Sequence, residues 1–367
     1  QWDTLLLETG FLAIFLVPLK WRPKLATEPP PSPWVLLLLR FLLFRLIFTS
    51  GWVKLASGDP TWNDHSALLY YYETQPLPTW IGWYAHQLPQ GFQEYSVIAG
   101  LIIQLGVPFF IFGPGRIRYA AATILIFFQL LISLTGNYCF FNILTISLCL
   151  LLFDDSLLKK VVPEKWRITF KETRSRIHGW KKWLVLGVGQ GVLAISILLY
   201  FIPLFISPVS YPSVFTSTVN IIRPFHIVNQ YGLFAVMTTS RPEIFIKGSN
   251  DGEEWKTYEF KWKPGKLNQA PAFVAPHQPR LDWQMWFAAL SNYERNPWLI
   301  KFMIRLLEGS PFVLDLLANN PFPETPPKYI QAVVYDYRFT DTGTKVKKGD
   351  WWQREYKGYY TPVLQLQ

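Results

Sequence analysis

The chain has 367 residues, of which 50% are hydrophobic, 17% are aromatic and only 16% are charged. Soluble domains carry roughly 25% charged residues, so this deficit favours a membrane protein. The formal net charge of +10 would suit a nucleic-acid partner, but basic cytosolic loops also produce it in membrane proteins, and we predict no nucleic-acid binding.

Six apolar runs approach the length of about 20 residues that a helix needs to cross a membrane. They cover residues 5–19, 34–53, 95–112, 120–134, 140–153 and 183–206. The short runs leave open that some are buried or re-entrant pieces rather than full spans. We predict a polytopic α-helical membrane module over residues 1–206, with about six crossings and membrane lipid as its surroundings.

Lysine and arginine are concentrated in every second connection between these runs. The connection 154–182 is the most basic, whereas the connection after the second run is acidic and the turn at Gly136-Asn137 is uncharged. Because basic loops stay in the cytosol, the alternation places the C-terminal part of the chain on the other side. That side is the lumen in a eukaryote, or the periplasm beyond the inner membrane in a bacterium.

Several polar residues fall within the membrane module. We single out Glu8, Arg40, Arg45, Asn137 and Asn142. A charge at a helix centre costs about 2.5–3.5 kcal/mol on insertion scales, so such residues usually face a partner or a wet cavity. Glu8 is the candidate partner of the two arginines. The alternative is that the arginines extend to the membrane interface.

After a linker at 207–230, residues 231–367 carry the short alternating runs that are typical of strands. The predicted strands are 231–237, 243–247, 255–262 and 329–339, with a hairpin loop at 248–252. A helical insertion at 280–320 includes predicted helices at 280–291, 298–307 and 311–318. We therefore predict an extramembrane β-sandwich-like (α+β) domain.

One run in this domain, residues 280–287, combines Arg280 and Asp282 with Trp283 and Trp286. One interpretation is an internal salt bridge beneath aromatic packing, since structural ion pairs are common. The other is a partner-binding surface, because tryptophan and arginine dominate interface hot spots.

The sequence has no catalytic signature of the GxSxG, HExxH, P-loop or GxGxxG type. Its five histidines are separated along the chain, and the two cysteines, Cys139 and Cys149, lie in an apolar region. We therefore predict a protein that is not an enzyme and has no cofactor or metal site.

Several strings, in order along nearly the whole chain, resemble the lipase maturation factor family. They are WD and LLLETGFLA at 2–13, TGNY and FFNILT at 135–145, NQYGLF at 229–234, RLDW and MWFAA at 280–289, and NPF at 320–322. The run APHQP at 275–279 is more similar to the second vertebrate paralogue than to the first.

This resemblance implies a multi-pass protein of the endoplasmic-reticulum membrane that helps secreted lipases fold and assemble into active dimers. It implies a lumenal C-terminal domain that engages lipases or other secretory client proteins. That orientation agrees with the one predicted from loop charge.

A second similarity concerns the run SGWVKL at 50–55, which is similar to the membrane module of vitamin K-dependent carboxylases. In that superfamily a lysine at the end of such a helix acts in catalysis, which would make Lys54 a base. An interfacial lysine is the alternative. Two other functions therefore stay open: a membrane enzyme acting on a lipid-soluble or polypeptide substrate, and a transporter suggested by span count and intramembrane arginines.

Overall fold

The structure is a computed structural model that describes residues 2–16, 21–22, 31–161, 163, 180–204 and 213–366. The chain divides into two compact units. The first comprises Gln1–Asn63, Ile98–Leu130 and Phe141–Val236, and the second comprises Asp64–Val97, Leu131–Phe140 and Met237–Gln367. Most of the predicted basic connection 154–182 lies outside the described residues, as do parts of the first and last predicted spans.

Most of the described residues that precede the sheet lie in helices. In chain order they are α1 (Trp2–Ile14), α2 (Pro33–Ala56), α3 (Pro60–Asn63), α4 (Ala67–Thr74), α5 (Trp80–His86), α6 (Gln90–Gly106), α7 (Gly115–Thr135), α8 (Phe141–Leu150), α9 (Asp155–Val161), α10 (Trp180–Ile195) and α11 (Ser213–Ile222). A 3-10 turn at Val107–Phe112 extends α6, and a π-helical turn at Ser196–Phe201 extends α10. Helix α11 falls within the predicted linker.

Three helices among the described residues are long and apolar enough to cross a membrane. They are α2, α6 with its 3-10 extension, and α7. Helix α2 is mostly buried, whereas the other two expose most of their apolar surface. An apolar helix with exposed apolar side chains is suited to lipid. The remaining predicted spans are helical but shorter, so the count of six crossings stays a prediction.

The second unit contains one four-stranded antiparallel sheet. Its strands are β1 (Pro242–Ser249), β2 (Lys256–Thr257), β3 (Tyr329–Phe339) and β4 (Trp352–Tyr359), in the order β2-β1-β3-β4. Between β2 and β3 lie α12 (Arg280–Ala289), α13 (Pro297–Leu307) and α14 (Pro311–Leu314), and α15 (Thr342–Lys348) joins β3 to β4.

Every second side chain of β1 and β3 points into the core of this unit. Ile244, Ile246 and Ala332 point towards α12 and α13, where they pack on Met285 and Met303. Successive side chains of a strand alternate between faces, so the odd-numbered residues of both strands point to the opposite face. The described residues thus form one sheet with α12 and α13 on one face, and the second sheet of a sandwich is not found among them.

The structure confirms the predicted strand at 329–339, the strand at 243–247 and the hairpin between β1 and β2. Two predictions of strand were wrong in extent. Only Lys256–Thr257 is extended within 255–262. Residues 231–237 form turns, because the carbonyl groups there bond to side chains of the first unit rather than to a neighbouring strand. Strand β4 was not predicted.

Candidate functional site

Glu8 on α1 and Arg45 on α2 form a fully buried ion pair. The guanidinium also donates to the carbonyl oxygen of Asn229 over 3.2 Å. The second carboxylate oxygen of Glu8 accepts from the Asn229 backbone N–H (3.0 Å), the Asn229 amide (3.1 Å) and the Tyr231 hydroxyl (2.8 Å). A buried charge is tolerated when it is paired and its other positions are hydrogen-bonded. This cluster therefore fixes the start of segment 229–234 to two helices.

Lys54, near the end of α2, is buried in the same unit. Its ammonium group donates to the carbonyl oxygens of Ser50 (2.9 Å) and Leu233 (3.2 Å) and to the side-chain oxygen of Gln104 (3.1 Å). Lysine has three hydrogens to donate, and each has an acceptor here. The Lys54 side chain thereby connects α2 to Gln104 on α6 and to segment 229–234.

The rest of segment 229–234 is also held by α2 and α3. The indole N–H of Trp62 donates to the carbonyl oxygen of Phe234 over 2.9 Å, and the Lys54 ammonium lies 5.1 Å from the centre of that indole. A Cβ atom at Gly232 would come within 3.2 Å of Val53. Glycine therefore permits the close approach of this segment to the helix.

Arg40 and Asn142 also belong to the first unit, and each has its own set of neighbours. The charges that act on Arg40 are those of Arg118 and Asp154, which form their own ion pair at 3.3 Å. Arg40 is thus near the predicted basic connections and does not pair with Glu8. Asn142 on α8 donates to the side-chain oxygen of Gln129 on α7 over 2.9 Å, which links two apolar helices.

Asn137 lies just after the end of α7, at the turn that the sequence predicts at Gly136-Asn137, and its predicted position within the bilayer stays a prediction. It belongs to the second unit, where the turn is bound to the connections around it. Its amide donates to the carbonyl oxygens of Leu77 (3.1 Å) and Ala272 (2.8 Å), and its side-chain oxygen accepts from the backbone of Val274 (2.7 Å) and Ala275 (3.0 Å). One side chain thereby joins three separate stretches of chain.

Asp282 does not pair with Arg280. Arg280 is exposed, whereas Asp282 is buried and accepts hydrogen bonds from the backbone N–H groups of Trp262 and Lys263, both over 2.9 Å. Burial raises the pKa of the Asp282 carboxyl above its ordinary value, against the two backbone bonds that favour its charged form. Asp282 therefore does not form the expected internal salt bridge, and its carboxyl group instead accepts hydrogen bonds from the backbone of a loop.

The two tryptophans of this motif also make internal contacts. Trp283 is buried, and its ring centre lies 6.5 Å from that of Tyr138. The indole N–H of Trp286, which is half-buried, donates to the carbonyl oxygen of Thr74 over 2.9 Å. The neighbouring Phe287 is instead 56% exposed. Within residues 280–287, the exposed side chains are those of Arg280, Gln284 and Phe287.

A buried charge network at the start of β1 was not predicted from the sequence. The carboxylate of Glu243 pairs with Arg241 (2.7 Å) and Lys263 (2.8 Å). Arg241 also donates to the carbonyl oxygens of Glu73, Gln75 and Pro76. Burial lowers the pKa of Arg241, while the neighbouring Glu243 raises it. Alternation would have indicated that the charge of Glu243 faces away from the isoleucine core.

In the described part of the chain, no three His, Cys, Asp or Glu residues are placed to hold a metal ion. The chemistry is instead that of polar side chains holding loops. Long apolar helices with matched internal charges, together with a sheet-containing unit, define an α-helical membrane protein with a C-terminal α+β region.

Comparison with known proteins is consistent with that class. The sequence model of one protein family, the lipase maturation factor transmembrane domain, matches residues 1–160. A second family model, the lipase maturation factor C-terminal domain, matches residues 227–362. The chain belongs to the lipase maturation factor family, as the sequence motifs predicted. No solved structure matches it.

Individual relatives include both numbered vertebrate types. Lipase maturation factor 2 of Rattus norvegicus is 34% identical over 468 aligned residues, which cover 100% of this chain and 66% of the relative. Lipase maturation factor 1 of Bos taurus is 35% identical over 384 residues, covering 100% of this chain and 68% of the relative. Proteins of the second type are thus among its relatives, as predicted, and the chain spans about two thirds of the length of the curated relatives it matches.

Proposed function

We propose that this protein is a multi-pass maturation factor of the endoplasmic-reticulum membrane, which assists the folding and assembly of secreted lipases without catalysing a reaction. Family membership supports the maturation role, since the relatives are named for it. The second compact unit, which faces the lumen in this proposal, engages the client.

The observation that carries the orientation is the composition of the second unit. Residues Asp64–Val97 and Leu131–Phe140 belong to it together with Met237–Gln367. The first two stretches contain the acidic connection and the uncharged turn, which loop charge places outside the cytosol. In this proposal the C-terminal region lies on the same side of the bilayer as these two stretches, with which it forms one compact unit.

The geometry around Lys54 favours this proposal over an enzyme of the carboxylase-like superfamily. A catalytic base needs a free lone pair within hydrogen-bond reach of a substrate proton. The Lys54 ammonium is occupied by three acceptors, one of them the Leu233 carbonyl oxygen. Nothing in the described residues favours a transporter.

Rescue of lipase secretion tests the proposal. The full chain would be expressed in cells that lack their own maturation factor, and secreted lipase activity would be measured per unit of secreted lipase. We expect activity well above the empty-vector level. The rat relative at an equal expression level serves as the positive control. If that control restores activity and this chain does not, the proposed function is wrong.

The full chain is preferable to a truncation in this experiment. Removing residues after Val236 would leave Asn137 without the groups at 272–275 that it binds, and would leave the carbonyl groups at 73–76 without Arg241. A truncated protein would then fail because residues 64–97 lose their packing, whether or not the missing part contacts lipases.

A further inference from the structure

The sheet face opposite the helices is aromatic and basic. We call it the aromatic face and define it by Phe245, Lys247, Tyr335, Tyr337 and Arg354. The ring of Phe245 lies 5.2 Å from that of Tyr335 and 5.7 Å from that of Tyr337. The guanidinium of Arg354 lies 4.6 Å from the centre of the Tyr335 ring, and the ammonium of Lys247 lies 5.9 Å from it. Two cations therefore flank one tyrosine.

A cavity of about 340 Å³ opens on the aromatic face. Its lining includes Phe245, Lys247, Tyr335 and Arg354, and segment 257–269 forms its other side. A volume of this size exceeds what a single small anion occupies and falls within the range of about 300–1,000 Å³ typical of ligand pockets. Aromatic rings and cationic groups thus line one recess.

Four cationic side chains line this cavity, and two of them pair with a carboxylate. Lys263 pairs with Glu243 at 2.8 Å, and Lys266 pairs with Glu259 at 3.1 Å. Lys247 and Arg354 have no carboxylate partner among the described residues, and their polar contacts are tyrosine hydroxyls: Tyr335 at 3.5 Å and Tyr337 at 3.2 Å. The cavity therefore carries two positive charges that its own lining does not neutralise.

Strand β4 adds a second feature at the same place. It is the last strand of the sheet; the backbone N–H of Trp352 at its start donates to the carbonyl oxygen of Leu267, and the rest of its outer edge has no strand partner among the described residues. Tyr356 and Tyr359 on this strand are 50% and 74% exposed, and the ring of Tyr356 lies 5.4 Å from that of Tyr335. An extended peptide can add to such an edge, using backbone hydrogen bonds for affinity and side-chain pockets for specificity.

We propose that the aromatic face binds an extended acidic peptide segment, with a carboxylate between Lys247 and Arg354 and apolar neighbours on Tyr335 and Tyr356. This inference rests on the proposed function for the source of the peptide, which is a secretory client. Charge complementarity selects the acidic residue, and the unpaired strand edge favours a peptide over a free anion or a lipid headgroup.

Binding of a defined probe to the purified full chain in neutral-lipid nanodiscs tests this. The probe is a fluorescein-labelled peptide of alternating Glu and Tyr, followed by anisotropy, with a Lys-Tyr peptide of equal length as its control. We expect binding of the acidic peptide alone, weakening with salt. Lys247→Gln combined with Arg354→Gln should raise the Kd about tenfold or more, because a hydrogen bond to a charged group contributes at least that factor.

Matched variants separate this effect from loss of structure. Lys301→Gln removes an exposed cation from α13, on the helical side of the sheet, and should leave the Kd unchanged. Arg354→Lys keeps the charge and should retain most of the affinity. Each variant must keep the thermal midpoint of the unchanged protein. If the double variant unfolds, Lys247→Gln alone is measured in its place.

Three results would overturn the inference. The first is equal binding of the double variant. The second is displacement of the peptide by inorganic phosphate more strongly than by sodium chloride of equal ionic strength, which would mean a small-anion site. The third is displacement by short-chain phosphatidylserine at lower concentration than by unlabelled peptide, which would mean a lipid site. Rescue of lipase activity alongside any of these results would leave the proposed function standing.

Discussion

Single buried polar side chains in this protein hold stretches of chain that are distant in sequence. Asp282 satisfies two backbone N–H groups, Asn137 binds backbone groups on two other stretches, and Arg241 binds three carbonyl oxygens at residues 73–76. Buried backbone groups need hydrogen-bond partners wherever a regular helix or strand does not provide them. Irregular loops are thus ordered by side chains in the second unit.

Asp282 provides a test at this scale. Asp282→Ala leaves the N–H groups of Trp262 and Lys263 without an acceptor, and each such group costs about 1–3 kcal/mol. We expect a clear fall in the thermal midpoint measured in detergent. Asp282→Asn keeps the same oxygen as an acceptor, and it resembles the neutral acid that burial favours, so it should cost less. Equal losses in both variants would contradict the backbone-capping role.

His86 provides a test of pH dependence. Its Nδ1 atom is buried without a hydrogen-bond partner among the described residues, and its Nε2 atom lies 3.8 Å from the Glu73 carboxylate. Burial lowers the pKa of His86, so the folded state takes up its proton less readily than the unfolded state. The stability gained from neutral His86 is complete above the ordinary pKa of about 6.5 and is lost as the pH falls through the lowered value.

The measurement compares thermal midpoints at about pH 7.5 and pH 5.5, on either side of that ordinary pKa. The unchanged protein should lose more stability on acidification than His86→Gln, which has no group to protonate at this position. An identical loss in the two proteins would show that other groups carry the pH dependence.

At the scale of elements, α1, α2 and segment 229–234 depend on one another through the Glu8–Arg45 pair. Glu8→Gln leaves the buried guanidinium of Arg45 without its counter-charge, and breaking a buried pair on one side costs about 3–5 kcal/mol. We expect a large fall in the thermal midpoint in detergent. Glu8→Gln with Arg45→Leu removes both charges, keeps a side-chain oxygen for Asn229 and Tyr231, and should be less harmful than Glu8→Gln alone. A double variant that is worse than the single one would contradict a purely structural pair.

The elements differ in how far the sequence could predict them. Strand 329–339 and the helix from residue 280 follow from local periodicity, and both were found. The role of Asp282 could not be predicted from its neighbour Arg280, because its partners lie about twenty positions earlier in the chain. Segment 231–237 alternates like a strand, yet its carbonyl groups are taken by Lys54 and Trp62. Long-range hydrogen bonds decided both cases.

The tryptophan motif is another case in which composition alone did not predict the role of the side chains. Trp283 and Trp286 have the composition of an interface hot spot, but the fold uses them internally. The aromatic face instead depends on which residues of β1, β3 and β4 share a side of the sheet. That arrangement requires the pairing of β3 with β4, including its register shift at Val334 and Tyr335, and β4 was not predicted.

At the scale of the whole molecule, the maturation role requires the second unit to face the secretory lumen. The chain contains no Asn-x-Ser/Thr acceptor, so an introduced acceptor reports the location of its own segment without background. Thr342→Asn creates one at an exposed position, with Gly343 and Thr344 following it. Thr173→Asn creates another within the basic connection 154–182 and serves as the cytosolic control.

The most direct measurement is therefore the endoglycosidase-sensitive mass shift of these two variants after synthesis in microsomes. We expect Thr342→Asn to gain a glycan and Thr173→Asn to remain unmodified. Glycosylation of Thr173→Asn but not of Thr342→Asn would place the second unit in the cytosol, where it could not reach a secreted lipase.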